Sequence, residues 1–295
     1  MSASPSRLFC FGLGYSALRL ARALKRDGWA VAGTCREAGA RDRLAGDGIE
    51  AHLFDRVRPL DAAVLAGATH LLSSVPPDGA GDPVLDVHGS DIAGLATLRW
   101  AGYLSTTGVY GTRDGGWVDE DAERRPTGER QRRRVAAEDG WLALHRDRGV
   151  PVHLFRLAGI YGPGRSALDQ LRAGTARRIV RPGQAFSRIH VDDIVAVLRA
   201  SMARPRPGTA YNVCDDAPAP SSEVVGFAAT LLGIAPPPEI AFEAAELGPM
   251  ARSFYADNKR VRNGRIKTGL GVRLRYPSYR EGLAAILAEE RAGPG

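Results

Sequence analysis

Cysteine is scarce in this chain of 295 residues, occurring only at Cys10, Cys35 and Cys214. With no C-x-x-C pair and no histidine cluster beside them, a disulfide framework and a structural zinc site are both excluded, and a reducing compartment is expected. Long apolar runs are also missing. Nothing approaches the ~18 uncharged apolar residues that span a bilayer, and the opening MSASPSR lacks the apolar stretch of a secretory signal. The expectation is a cytoplasmic protein with no membrane partner. Lysine is rarer still for its class, found only at Lys25, Lys259 and Lys267, so nearly all of the 40 basic residues are arginine. There is no G-x-S-x-G elbow, no G-x-x-x-x-G-K-[ST] loop and no histidine pair at metal-ligand spacing, which argues against a serine hydrolase, a phosphate-loop nucleotidase and a zinc enzyme.

What is present is ordinary for a globular fold: 44% hydrophobic and 25% charged residues, enough to bury a sizeable core. The formal charge is +7, with an isoelectric point near 9.6. Guanidinium groups suit phosphate and carboxylate ligands, yet the densest cluster, Arg130 with Arg132, Arg133 and Arg134, lies among Glu123, Glu129 and Glu138. That mixture reads as a solvated helix face. No aromatic residues interleave the basic ones, so nucleic acid is not an expected partner.

The order of the elements carries the fold. Leu8 to Phe11 is apolar and runs into Gly12-Leu13-Gly14, after which Leu18, Ala21 and Leu24 recur at helical spacing as far as Asp27-Gly28. Strand character returns at 29–34, a polar helical stretch surrounds Arg41 to Leu44, and 49–54, 70–75, 103–106 and 152–157 read as further strands. Such β-α-β alternation implies an α/β fold with a doubly wound parallel sheet covered on both faces. Beyond Tyr161-Gly162-Pro163-Gly164 the pattern breaks into segments punctuated by glycine and proline. It resumes at 191–203 as a helix and 211–214 as a strand, then breaks again through Pro236-Pro237-Pro238. The expected organisation is a dinucleotide-binding core over 1–163, rejoined by 189–216, with 164–188 and 217–295 forming a smaller, interleaved C-terminal substrate lobe.

The Gly12-x-Gly14-x-x-Ala17 turn follows a strand and opens a helix, the setting in which glycine lets backbone approach a pyrophosphate. Arg36, at the end of the second strand, stands where such folds place an acid for the ribose hydroxyls or an arginine for a 2′-phosphate. Arginine there favours NADP over NAD, although the adjacent Glu37 could itself hold a ribose hydroxyl.

Three segments make the resemblance specific: Leu104-Ser105-Thr106-Thr107-Gly108-Val109-Tyr110-Gly111, Phe155 through Tyr161-Gly162-Pro163-Gly164, and Ile189-His190-Val191-Asp192-Asp193, with Tyr211-Asn212-Val213 beyond them. Over almost its whole length the chain resembles the extended short-chain dehydrogenase/reductase superfamily, the NAD-dependent epimerase/dehydratase type, with a Rossmann core. The resemblance implies that Thr106 polarises a substrate carbonyl and that Tyr161-Gly162-Pro163 runs beside the nicotinamide. Cofactor contacts are expected from Gly12, Leu13, Gly14, Tyr15, Ser16, Arg36, Ser74, Val75, Pro76, Ser105, Arg134 and Gly162. Two departures stand out: Phe11 and Ala17 replace the first and last glycines of the family's turn, and its Y-x-x-x-K pair falls on Arg130 and Arg134. An arginine cannot give up a proton at neutral pH, so Arg134 keeps only the positioning half of that pair and the acid must come from elsewhere. Tyr110 and Tyr161 are the candidates, each of which otherwise packs its own loop.

A literal Y-x-x-x-K does occur at Tyr255 and Lys259, but in the C-terminal segment, where packing is expected. His190 beside Asp192-Asp193 reads as a strand end and helix start rather than a metal site. The expectation is an NADP-dependent oxidoreductase or epimerase-like enzyme, with NAD as the other cofactor, acting on a small carbonyl or sugar-derived molecule. The alternative is a non-catalytic dinucleotide-binding redox sensor. Arg165, Arg178, Arg181 and Arg188 either bind an anionic substrate or face water, and neither the substrate nor the oligomeric state is legible.

Overall fold

A computed structural model describes residues 6–293. In chain order the elements begin with β1 (Arg7–Phe11), α1 (Tyr15–Arg26), β2 (Ala30–Cys35), α2 (Ala38–Gly46), β3 (Glu50–Leu53), β4 (His70–Ser73), α3 (Pro83–Ala93) and β5 (Trp100–Thr106). They continue with β6 (Trp117–Val118), α4 (Glu129–Arg148), β7 (Val152–Leu157), β8 (Gly159–Tyr161), α5 (Ala167–Arg172), β9 (Arg178–Val180), β10 (Arg188–His190) and α6 (Val191–Ala203). The last are β11 (Ala210–Val213), α7 (Ser221–Leu232), β12 (Glu239–Ala241), α8 (Pro249–Ala256), β13 (Arg260–Val261), α9 (Gly264–Leu270) and α10 (Tyr279–Ala292).

The chain divides into two compact units. The first comprises the chain up to Thr106, Glu129–Arg156 and Val197–Tyr211; the second comprises Thr107–Gly128, Leu157–Ala196 and Asn212 onward. These cuts differ from those expected from the sequence: Thr107–Gly128 goes with the C-terminal unit because β6 pairs in parallel with β13, Trp117 opposite Arg260 and Val118 opposite Val261.

The main sheet has seven strands in the order β3-β2-β1-β4-β5-β7-β11, with parallel register between β1 and β2, β1 and β4, β2 and β3, and β4 and β5. The doubly wound architecture is therefore present. Continuous apolar runs suit it, because strands covered on both faces have no solvent side to alternate toward. The core of this unit gathers Phe9, Phe11, Leu71, Tyr103, Trp141, Val152 and Leu154, with α1 packed on β1 and β2 and α4 on α3 and β5. Strand β5 begins three residues earlier than the sequence suggests, because Gly102 leaves room for the Trp100 indole. A Cβ on Gly102 would lie 2.2 Å from that ring.

The second unit has two apolar clusters, one around Tyr161, Leu168, Ala228, Tyr279 and Leu283, the other around Ile179, Tyr255, Phe186 and Phe242. Its β8–β10, β9–β12 and β6–β13 pairs are two or three residues long. That is too short for periodicity to show, which is why the sequence read there as irregular. Among the described residues no helix is long and apolar enough to cross a membrane.

Candidate functional site: a dinucleotide cradle at the sheet's switch point

In the sheet, β1 has β2 on one side and β4 on the other, so the strand order reverses between β1 and β4. Open α/β sheets bind ligands in the crevice at the carboxyl ends of such strands. Gly12 directly follows β1 and Ser74 directly follows β4, and the two meet. The Ser74 amide donates to the Phe11 carbonyl at 2.9 Å and its hydroxyl donates to the Gly12 carbonyl. Gly12 has φ +83°, and a Cβ there would lie 2.9 Å from Ser74 Oγ and 3.2 Å from Val75 Cγ2, so both conformation and space demand glycine. The amides of Gly12 and Leu13 donate to the hydroxyl and carbonyl of the buried Thr34, each at 2.8 Å, which ties the turn to β2.

Gly14 is different. Its φ of −80° is open to any residue, and a Cβ would meet nothing within 4 Å. Nothing inside the fold requires glycine there; a Cβ would project into open space, the cradle a close-lying pyrophosphate would fill. Gly14 is also the N-cap of α1, and no side chain caps that end, which carries the positive pole of the helix and amides lacking an intrahelical acceptor. Tyr15, Ser16 and Ala17 form the first turn, Ser16 and Ala17 being buried. These residues fit a dinucleotide.

Arg36 follows β2 and is exposed. The Arg58 guanidinium donates to the Arg36 carbonyl at 3.2 Å while also holding Asp55, so two guanidinium-bearing residues adjoin at the strand end. Pro76 is exposed after β4, and Val75 packs against the core.

The remaining expected residues have defined places. Thr106 ends β5, half-buried. Ser105 is buried, and its hydroxyl donates to Glu138 Oε1 at 2.6 Å. Glu138 lies on α4, fully buried, and receives Arg156 of β7 through Nε at 3.1 Å and Nη2 at 2.8 Å. Arg134 donates to the Tyr103 hydroxyl at 2.9 Å and to the Leu104 carbonyl at 3.0 Å. Arg130 is exposed on the same helix, and the neighbouring Arg132 and Arg133 pair with Glu129.

In the second unit, Tyr110 is fully buried and its hydroxyl donates to Asn212 Oδ1 at 2.7 Å. The Tyr161 hydroxyl donates to the Ser278 carbonyl at 3.2 Å, and the ring lies where a Cβ on Gly282 of α10 would be, 2.1 Å from the hydroxyl oxygen. Burial pushes its titration up. Gly162 is buried in a tight turn closed by mutual amide–carbonyl bonds with Arg165. Arg178 pairs with Glu239, Arg181 donates to the Tyr255 carbonyl, and the half-buried Arg188 donates to the carbonyls of Phe186 and Ala219. Tyr255 packs in the second apolar cluster. Helix α8 ends at Ala256, and Lys259 beyond it pairs with Asp257 at 3.3 Å, so no helical Tyr–Lys pair forms. Asp193 accepts the amides of Arg275 and Tyr276, and among the described residues no group of His, Cys, Asp and Glu could hold a metal ion.

Sequence reasoning missed Tyr103, Arg58 and the Glu138–Arg156 pair. The last left a signal: an arginine inside the apolar run Val152–Leu157 requires a buried anion.

No family model matches the chain. Protein YeeZ of Escherichia coli K12 is 29% identical over 239 residues, 77% of this chain and 84% of that protein. A 3-diazoavenalumate denitrifying reductase from a Streptomyces species is 32% identical over 143 residues, 44% of this chain and 45% of that protein. Among solved structures, a functionally unknown conserved protein from Silicibacter pomeroyi DSS superposes with a TM-score of 0.90 at 53% identity, covering 96% of this chain and 98% of that one. A protein from Methylobacillus flagellatus assigned to the NAD-dependent epimerase/dehydratases gives 0.70 at 27% identity, covering 98% and 100%. The UDP-glucuronic acid 4-epimerase of Bacillus cereus, in complex with NAD, shares the fold with a TM-score of 0.74 at 16% identity, covering 95% of this chain and 96% of that one.

Proposed function

Since this chain belongs to the same family as the Silicibacter pomeroyi protein, with which it shares 53% of its residues over nearly its full length, we propose that it is an NADP-dependent oxidoreductase or epimerase-like enzyme. Its substrate is a small carbonyl or sugar-derived molecule. The observation that carries the reading is Gly14: a glycine that neither backbone conformation nor packing requires, at an uncapped helix end, on the switch point of a parallel sheet. The epimerase/dehydratase and reductase descriptions of its relatives support the reaction class.

Bound NADP supplies or accepts the hydride. The protein's part is to hold and orient. Gly12 and Leu13, tied to Thr34, fix the turn; the open amide end of α1 receives the pyrophosphate; Arg36, with Arg58 beside it, receives the 2′-phosphate. Thr106 donates a hydrogen bond to the substrate carbonyl. Arg134, anchored on Tyr103 and Leu104, supplies positive field and a ribose contact, and transfers no proton. The hydroxyls of Tyr110 and Tyr161 are engaged with Asn212 and Ser278. That observation favours the second reading, a protein that binds oxidised and reduced cofactor unequally without turnover.

Calorimetric titration with NADP+, NADPH, NAD+ and NADH separates these. Gly14→Ala should keep the fold and weaken every cofactor about tenfold or more, and Arg36→Ala should cut the NADPH preference over NADH by about tenfold, each equivalent to about 1.4 kcal/mol. Unchanged cofactor affinity in Gly14→Ala, or no binding by the parent at millimolar cofactor, rejects both readings. NADPH consumption over a panel of carbonyl compounds distinguishes enzyme from sensor.

A further inference from the structure

Residues 271–278, between α9 and α10, belong to no sheet, yet their burial alternates: Val272, Leu274 and Tyr276 are buried, Arg273 and Arg275 exposed. This period of two places the two arginines on one edge, about 7 Å apart along an extended chain. The segment is pinned. The buried Asp193 carboxylate accepts the amides of Arg275 at 2.7 Å and Tyr276 at 3.1 Å, and the Pro277 carbonyl accepts the Asp216 amide at 2.9 Å. Both guanidinium groups therefore stand on a fixed backbone.

They border a cavity of about 820 Å³ formed within the second unit, whose apolar lining is Val272, Leu274 and Pro277. Two charges on that lining cancel: Lys267 pairs with Asp216, which also accepts from Asn263 Nδ2 at 2.7 Å. The other carboxylate, Glu281, is hydrogen-bonded by the Ser278 hydroxyl. Arg273 makes no hydrogen bond or ion pair among the described residues, and the Arg275 guanidinium, which makes no side-chain hydrogen bond among them, lies over the ring of its neighbour Tyr276, 5.2 Å from its centre, and acts on the Asp193 carboxylate through its charge alone. Other arginines of this unit are committed: Arg178 to Glu239, Arg280 to Glu223 and Arg188 to carbonyls. Two uncommitted planar donors beside a roomy apolar wall are the complement of a molecule with an anionic head and an apolar body.

We propose that this cavity binds an amphipathic organic anion, a phosphate or carboxylate ester or acid bearing an aryl or alkyl group, with Arg273 and Arg275 on the charged head and Val272, Leu274 and Pro277 against the apolar part. The site is separate in composition from the glycine turn, none of whose residues line it.

The test is calorimetric titration with phenyl phosphate, inorganic phosphate and benzyl alcohol. Saturable one-to-one binding of phenyl phosphate is expected, about tenfold or more weaker in Arg273→Ala/Arg275→Ala and unchanged in Gly14→Ala. Inorganic phosphate should bind more weakly than phenyl phosphate, and benzyl alcohol not at all. Because both arginines are exposed, Arg273→Gln/Arg275→Gln serves as a second variant with the same expected loss. The proposal is overturned if the double variants bind phenyl phosphate as tightly as the parent, if only Gly14→Ala weakens it, or if the parent shows no saturable binding at millimolar ligand. Loss of cofactor binding in Gly14→Ala leaves this outcome untouched, so the two sites fail independently.

Discussion

Arg134 of α4 donates to the hydroxyl of Tyr103 on β5 at 2.9 Å, its guanidinium 5.7 Å from the centre of the same ring. The tyrosine that this arginine engages is thus in the sheet, not on its own helix, and burial pushes that phenol up, well clear of neutral pH. Tyr103 is stacked on Trp141 with ring centres 5.7 Å apart, so the pair anchors α4 on the sheet. Tyr103→Phe keeps the stacking and removes one hydrogen bond. It should cost about 1 kcal/mol in urea unfolding while NADPH affinity stays within about threefold of the parent. A larger fall in affinity would mean that the phenol matters to cofactor binding, directly or by holding Arg134.

Glu138 and Arg156 form a buried ion pair that also holds the Ser105 hydroxyl. Removing one partner leaves an uncompensated charge out of water. Glu138→Gln is expected to destabilise by about 3–5 kcal/mol, whereas Glu138→Gln/Arg156→Met should recover much of it. Chemical denaturation of the two variants decides; equal losses in both would show that the pair's charge is not what holds this region.

Tyr110 and Tyr161 separate by what their phenols touch. Tyr110→Phe leaves the buried Asn212 oxygen without its donor and should cost about 1–3 kcal/mol. Tyr161→Phe should be milder, since only a 3.2 Å bond to a carbonyl is lost. Gly282→Ala drives a methyl into the Tyr161 ring and should be severe, with Gly282→Ala/Tyr161→Ala partly rescuing it. If NADPH turnover on any carbonyl is found and Tyr161→Phe abolishes it at unchanged stability, Tyr161 is the acid after all.

Stability should depend on pH through two opposed sets of groups. Burial lowers His70 and His153 to about 4, so between roughly 6.5 and 4 the unfolded chain binds more protons. Stability is lost as pH falls through that window, by up to about 3 kcal/mol for each histidine. Burial raises Asp215 to about 7, and its Oδ2 has no hydrogen-bond partner. In this case the folded state binds the extra proton, and stability falls as pH rises from about 4 to 7. Asp215→Asn should therefore be more stable than the parent at pH 8, by about 1–3 kcal/mol, with little difference at pH 4. Matching parent and variant stabilities at pH 8 would refute the buried-carboxylate reading.

Much of the sheet was legible in the chain because buried parallel strands are continuous apolar runs and the glycine turn between Phe11 and Ala17 has a local cause. Local pattern also sufficed to place Arg36 directly after β2. What the sequence could not disclose were pairings distant along the chain. Tyr110 donates to Asn212, Tyr161 donates to Ser278 and packs on Gly282, and Arg134 found its tyrosine on a strand rather than one turn away. The sequence by itself determined the alternation of elements and the glycine turn that opens α1, since both arise from neighbouring residues and backbone sterics. Only the tertiary structure decided which hydroxyls and guanidinium groups stay uncommitted, because a buried polar group takes whichever partner the packing of remote segments brings within hydrogen-bond reach.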